Sequence, residues 1–392
     1  MTALTRNQIL IMAITAGIAV ANVYYSQPIL AAIAQSFHTT TEKIGVISVL
    51  SQIGYGAGLF FLTPIGDMID RKKLILYLQC GLMFSLLLMV IATHFWLLYA
   101  GSFLIGVFSV VAQVILPMAA SLAKENRGKI VAQVFTGILV GILIARVFSG
   151  LVANFFGWQY VYAASAVMVL GTTVLMQADF HSLPQHFSGT YIGLLQSTLS
   201  QLGRFPLLRK TALTGMIAFG ILSAFWVTLT FYLSGPPFHY STSQIGMFGL
   251  LAAASAMAAP LFGKRADKGS AFRSLLFSTI ITLLSILVLK NTEHSVVAIW
   301  VAVILLDVGV QATQVTNIAV IYTLDHSANS RINTVYMTSY FIGGALGAFI
   351  AIECYKMGGW SWSTSFMGLL GMIGITNVML ARPHHEKRQV AV

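Results

Sequence analysis

Apolar residues fall into long runs separated by short polar breaks. The runs lie near 8–33, 44–66, 73–92, 95–122, 130–155 and 157–177, and, after a polar stretch at 178–210, near 211–234, 243–263, 272–290, 295–323, 331–353 and 361–381. Each has about the length, roughly 20 residues, that a helix needs to cross a hydrocarbon core of ~30 Å at ~1.5 Å per residue. The pattern predicts an all-α membrane protein: twelve transmembrane helices in two pseudo-symmetric six-helix bundles, at 1–177 and 211–392, joined by a linker at 178–210. The first run follows Arg6 as a signal peptide would, but it is too long and is polar in its second half, so it is expected to be retained as a span.

Composition agrees. Only 8% of the 392 residues are charged and 57% are hydrophobic, too little charge to cover a soluble surface of this size. The net charge of +11 would suit a nucleic-acid partner if it were gathered on one element, but the basic residues are scattered in short loops. One set of alternate loops carries Arg6, Arg71 to Lys73, Lys124 to Lys129, Arg204 to Lys210, Lys264 to Arg273, Arg331 and Arg382 to Arg388; the other has Lys43, Lys290 and Lys356. This bias places both termini and the linker in the cytoplasm. Within the linker, Ile192, Leu195, Leu199 and Leu202 recur at helical spacing before Arg204 and Arg209, predicting a short interfacial helix that tethers the halves. Cys80 and Cys354 are expected to be small buried hydrophobes.

The two halves repeat one another. Phe37-His38, Thr41 and Ile44-Gly45 recur as Phe238-His239, Thr242 and Ile245-Gly246, at an offset of 238 − 37 = 201; Gly157-Trp158 recurs as Gly359-Trp360 at 202, and Asp67 as Asp267 at 200. An offset spanning an even number of helices gives both halves one orientation, related by an axis along the membrane normal, with a solute site between them.

The loop Pro64-Ile65-Gly66-Asp67-Met68-Ile69-Asp70-Arg71-Lys72 resembles the signature between the second and third spans of the major facilitator superfamily, and Pro260 to Gly269 lies where that family repeats it. Met68 stands where a basic residue is common and Asp70 where glycine is. The resemblance implies a gating latch, formed by Asp67, Arg71, Lys72, Asp267 and Lys268, that is favourable in one conformation and broken in the other. Asn22 to Pro28, Leu306 to Gln311 and Arg331 to Tyr336 look like the bacterial arabinose-efflux-permease-like branch, related to drug/proton antiporters. Gly137, Gly141 and Gly150 resemble an antiporter signature, although Ile142 replaces its proline; the same glycines would also let helices approach closely.

A charge at mid-bilayer costs about 2.5–3.5 kcal/mol on insertion scales, so each needs a partner or a task. Asp307 lies near the middle of the tenth span and is the candidate proton-coupling residue, or else a structural aspartate. Arg146 on the fifth span could pair with it, bind an anionic solute or snorkel outward. Asp307, Gln311 and Gln314 form a polar stripe at i, i+4 and i+7, expected to line a wet cavity with Gln113 on the fourth span. Asn22, Tyr25 and Trp226 are further cavity candidates, whereas Tyr24 and Tyr232 are read as interfacial aromatics. Glu353 and Lys356 read as a solvated pair, and His38 and His239 as loop residues.

No nucleotide-binding glycine loop, nucleophile and base pair or metal-ligand cluster is apparent in the sequence, so neither an enzyme nor a cofactor is expected. The expectation is a monomeric, multi-pass secondary transporter of the bacterial inner membrane that exports a small organic solute in exchange for protons. An importer of a metabolite or an iron-chelating siderophore is the alternative. Topology is testable: in a cysteine-free background, a cysteine beside Arg204 should resist a membrane-impermeant maleimide in intact cells and react in inverted vesicles.

Overall fold

The computed structural model describes residues 4–123, 126–182, 189–256, 271–292, 294–325 and 328–381, with side chains not described at 253–256. Asp267 and Lys268, the second half of the expected latch, lie outside the described residues. The described chain is helical throughout, without strands.

The first run is not one straight helix. It forms α1 (Arg6–Ala21) and α2 (Ser26–Ser36), bent by 43°. Pro28 is the cause: it has no N–H to give to the Tyr24 carbonyl, and its ring crowds that carbonyl. The chain tightens before it, with the N–H groups of Val23, Tyr24 and Gln27 donating three residues back to Val20, Ala21 and Tyr24 at 3.1, 3.0 and 3.3 Å. The fourth run is also broken, into α5 (Phe95–Phe108) and α6 (Val111–Leu122), with Pro117 inside α6.

Between and after these come α3 (Thr41–Phe61), α4 (Arg71–Val90), α7 (Arg127–Phe156), α8 (Trp158–Asp179), the linker helix α9 (Tyr191–Arg204), α10 (Pro206–Ser234), α11 (Thr242–Ala256), α12 (Ala271–Asn291), α13 (Val296–Ile321) and α14 (Asn329–Leu380). The 52 residues of α14 would extend ~78 Å as one rod, far beyond a bilayer. Its backbone leaves helical values at Gly358 and Gly359, where φ is 65° at Gly359, so α14 holds the eleventh and twelfth spans. Among the described residues nine helices are long and apolar enough to cross a membrane, and the bent pair α1 and α2 makes ten. The break in α14 adds one, which makes eleven among the described residues, and the described part of α11 is an apolar helix of 15 residues.

Local geometry repeats with the sequence. His38 and His239 both take left-handed backbone, with φ of 49° and 50°, ahead of the helices that start at Thr41 and Thr242. Gly157 and Gly359 both have positive φ ahead of Trp158 and Trp360.

Lipid tails do not drive helices together as water does, so contact depends on close backbone approach. A Cβ on Gly141 would lie 2.3 Å from the Gly17 carbonyl oxygen, fixing α7 against α1; in the second half a Cβ on Gly347 would lie 2.3 Å from that of Gly220, fixing α14 against α10. The halves meet where Gly150 of α7 faces Gly246 of α11, with the Gly246 Cα 3.1 Å from a Cβ built on Gly150. Thr242 Oγ1 donates to the Gly150 carbonyl at 3.1 Å, Thr230 Oγ1 to the Gln27 carbonyl at 2.8 Å and Ser223 Oγ to Gln52 Oε1 at 3.0 Å. These contacts close the molecule at mid-depth and at the end remote from the N-terminus. Outward faces are apolar, as at Phe84, Phe155 and Val167. Cys80 is exposed on one such face, not buried as expected, because α4 turns it away from its neighbours.

Gly141→Leu should therefore lower the thermal midpoint of the detergent-purified protein, at a cost of about 1–3 kcal/mol. Gly171→Ala, where an added Cβ meets nothing within 4 Å, should leave the midpoint unchanged or raise it.

Candidate functional site

A cavity of about 110 Å³ lies between the halves. The stripe expected on α13 faces it: Asp307, Gln311 and Gln314 all line the wall, and Gln113 of α6 stands opposite with its Nε2 donating to the Tyr55 hydroxyl at 3.3 Å. Asn317, further along α13, turns away and donates to the Tyr336 hydroxyl at 3.3 Å.

Arg146 projects from α7 into the same space and is 3% exposed, so it does not snorkel to the membrane surface. Its Nε donates to Gln27 Oε1 at 3.0 Å, and its guanidinium carbon lies 3.9 Å from the centroid of the Trp226 ring and 5.3 Å from that of Tyr24. The negative face of an aromatic ring attracts a cation, more strongly where water is absent. Trp226 is therefore not a cavity wall but the platform on which Arg146 rests, contributed by α10 of the other half.

Asp307 is 4% exposed and its Oδ2 has no hydrogen-bond partner. The ion pairs among the described residues are Arg71 with Asp67, Arg204 with Asp325 and Lys356 with Glu353. The two intramembrane charges thus share a cavity without a contact within 4.0 Å.

Two expected wall residues lie elsewhere. Asn22 ties α1 to α8, with Oδ1 accepting from Ser165 Oγ at 2.7 Å and Nδ2 donating to the Ile18 carbonyl at 2.7 Å. Tyr25 packs on Phe148, ring centroids 5.6 Å apart, along a separate apolar groove between α1 and α7. Tyr24 takes the cavity position instead. Regular helical spacing does not carry from Asn22 into α2, because the chain bends by 43° there and the N–H groups of Val23 and Tyr24 bond three residues back instead of four. The aromatic wall from Phe219, Tyr340 and Phe341 was not anticipated; Tyr336 and Tyr340, one turn apart in a span of small residues, were its sequence signal. Tyr232 stacks on Trp360 at 4.5 Å and bonds His294, away from the cavity.

In the first latch loop, Asp67 pairs with Arg71 at 3.2 Å within its own half. Arg71 also donates to the Gly66 and Pro117 carbonyls, each at 3.2 Å. Lys72 caps the end of α8, donating to the Gln177 carbonyl at 2.9 Å and the Phe180 carbonyl at 2.5 Å, and Asp70 accepts from the Lys72 N–H at 2.9 Å as the cap of α4. Among the described residues the linker helix touches both halves at this end. Tyr191 at its start donates to the Phe61 carbonyl at 2.8 Å, and Arg204 at its end pairs with Asp325 at 2.8 Å.

Residues 12–348 match the sequence profile of the Major Facilitator Superfamily. The chain belongs to that superfamily. It is 39% identical over 357 residues to "Uncharacterized transporter YgaY" of Escherichia coli O157:H7, covering 90% of each chain. It is 28% identical over 372 residues to "Probable transporter SCO4007" of Streptomyces coelicolor, covering 93% of this chain and 85% of the relative. A "Probable sugar efflux transporter" of Helicobacter acinonychis is 23% identical over 362 residues, 88% and 86% of the two chains. The fold is that of a transporter of this superfamily, and the superfamily gives the twelve spans and their two-bundle arrangement.

The geometry separates wall from scaffold experimentally. Asn22→Leu should lower the thermal midpoint, at a cost of about 1 kcal/mol for the lost α1 to α8 bond, and leave solute affinity unchanged. Gln311→Leu should do the reverse, as read by thermal shift with and without a bound solute.

Proposed function

We propose that this transporter exports a small organic solute across the bacterial inner membrane in exchange for protons, with Asp307 as the coupling group. One observation supports this most strongly: a buried carboxylate faces the central cavity with an oxygen that no donor among the described residues satisfies. A carboxylate that is wetted in one conformation and enclosed in another can take up a proton on one side and release it on the other. In this reading Arg146 stays charged throughout and sets the field at Asp307.

The bundles at 1–177 and 211–392 rock about the cavity, and the 178–210 linker, whose helix touches both, limits how far they part at the cytoplasmic end. Asp67 and Arg71 face Arg331 and Thr334 of the other half across a narrow cleft, a suitable place for a contact made in one state and released in the other. Both termini are cytoplasmic and the monomer is the working unit. Export is favoured over uptake by the more distant relatives, which are named probable sugar efflux transporters.

Coupling is tested in proteoliposomes with a solute found by thermal-shift screening, since a bound solute stabilises the folded state. Asp307→Asn should reduce transport driven by an imposed pH gradient by about tenfold or more while solute exchange at equal pH on both sides continues. Gradient-driven transport at the wild-type rate would remove Asp307 from this role.

A further inference from the structure

Two ionic groups of opposite sign face one small cavity, and neither spends its binding capacity on the other. A guanidinium has five N–H donors in a planar fork. The Nε–H of Arg146 goes to Gln27, and among the described residues its two terminal nitrogens have no acceptor. The Trp226 and Tyr24 rings against the guanidinium hold its plane, which leaves its outer edge for a ligand. Asp307 Oδ2 is likewise without a donor and is buried.

A solute with one charge would satisfy one of these groups and leave the other desolvated. A neutral polyol could offer hydrogen bonds to both but would neutralise neither. A carboxylate matches the guanidinium edge in a two-pronged pair, and an ammonium gives Asp307 both donors and a counter-charge. Part of the remaining wall is aromatic: Phe219 stacks on Tyr340 with centroids 4.2 Å apart, and Phe341 lies 4.2 Å from Tyr55. On a measure in which one water needs about 10–15 Å³, the cavity has room for roughly eight waters, the bulk of a molecule of about a dozen non-hydrogen atoms.

We propose that the solute is a small zwitterion, its carboxylate held by Arg146, its ammonium by Asp307 and its apolar or aromatic body by the wall around Phe219, Tyr340 and Phe341. This rests on the transport reading above and names the solute's chemistry. It also gives exchange a physical form, because ammonium and proton compete for the same carboxylate oxygen: binding one expels the other.

The test is titration calorimetry on the full-length chain in detergent with four probes. Phenylalanine carries both charges, phenethylamine only the ammonium, 3-phenylpropionate only the carboxylate, and glucose neither. Phenylalanine should bind at least about tenfold more tightly than each of the other three. Arg146→Gln should erase its advantage over phenethylamine and keep that over 3-phenylpropionate; Asp307→Asn should do the opposite. Equal binding of a single-charge probe, tighter binding of glucose, or no binding of phenylalanine at about 10 mM, above the usual range of half-saturation, overturns the proposal. The wild-type ranking decides even if a variant misfolds. No membrane or gradient is involved, so a negative result leaves proton-coupled export standing, and a failure of coupling in liposomes leaves the binding preference standing.

Discussion

In hydrocarbon, every polar group must find its partner within the protein, and apolar surface gains nothing by leaving the solvent. This constraint orders the molecule. It makes every element a helix, because a helix satisfies its own backbone. It also makes glycine the residue of contact: the Gly17 and Gly141 approach in one half and the Gly220 and Gly347 approach in the other bring backbones close enough for dispersion and short polar contacts to hold them. Hydroxyls and amides inside the bundle are accordingly spent on helix-to-helix bonds, as at Asn22 with Ser165 and Ser223 with Gln52.

Against that background, unspent polar capacity stands out. Arg146 and Asp307 are buried within the spans where an unpartnered charge is costly, yet each keeps valence that the described residues do not use. A purely structural ion pair would have closed on itself. Instead the cation is braced from behind by Trp226 and Gln27, and the carboxylate is carried on a stripe of glutamines, so both point toward the space between the halves.

Much of this was legible in the sequence, for stated reasons. Span number follows from run length, and the repeat is visible because the turns that start equivalent helices need the same residues, His38 and His239 in left-handed backbone being an example. The α13 stripe is legible because regular helical spacing holds along it. Legibility fails where regularity does. Tyr24 and Tyr25 change places at the Pro28 break, and the Phe219, Tyr340 and Phe341 wall depends on how α10 and α14 rotate about their glycine contact, which spacing does not report. The partners of Lys72 and Asp67 are likewise products of tertiary packing: a loop motif names the residues but not which helix end they reach.

Gln27 joins events on the two sides of the interface. Its side chain steadies Arg146 of the same half, while its carbonyl receives Thr230 from the opposite half, one turn along α10 from the ring that underlies the guanidinium. A rotation that parts α2 and α7 from α10 withdraws the Thr230 hydroxyl and the indole together. Water then reaches the guanidinium in their stead, and a hydrated cation grips a carboxylate more weakly than a dry one. Parting at that face would thus hydrate Arg146 and remove its ring contact in a single movement, because the helix that lends the indole belongs to the other half.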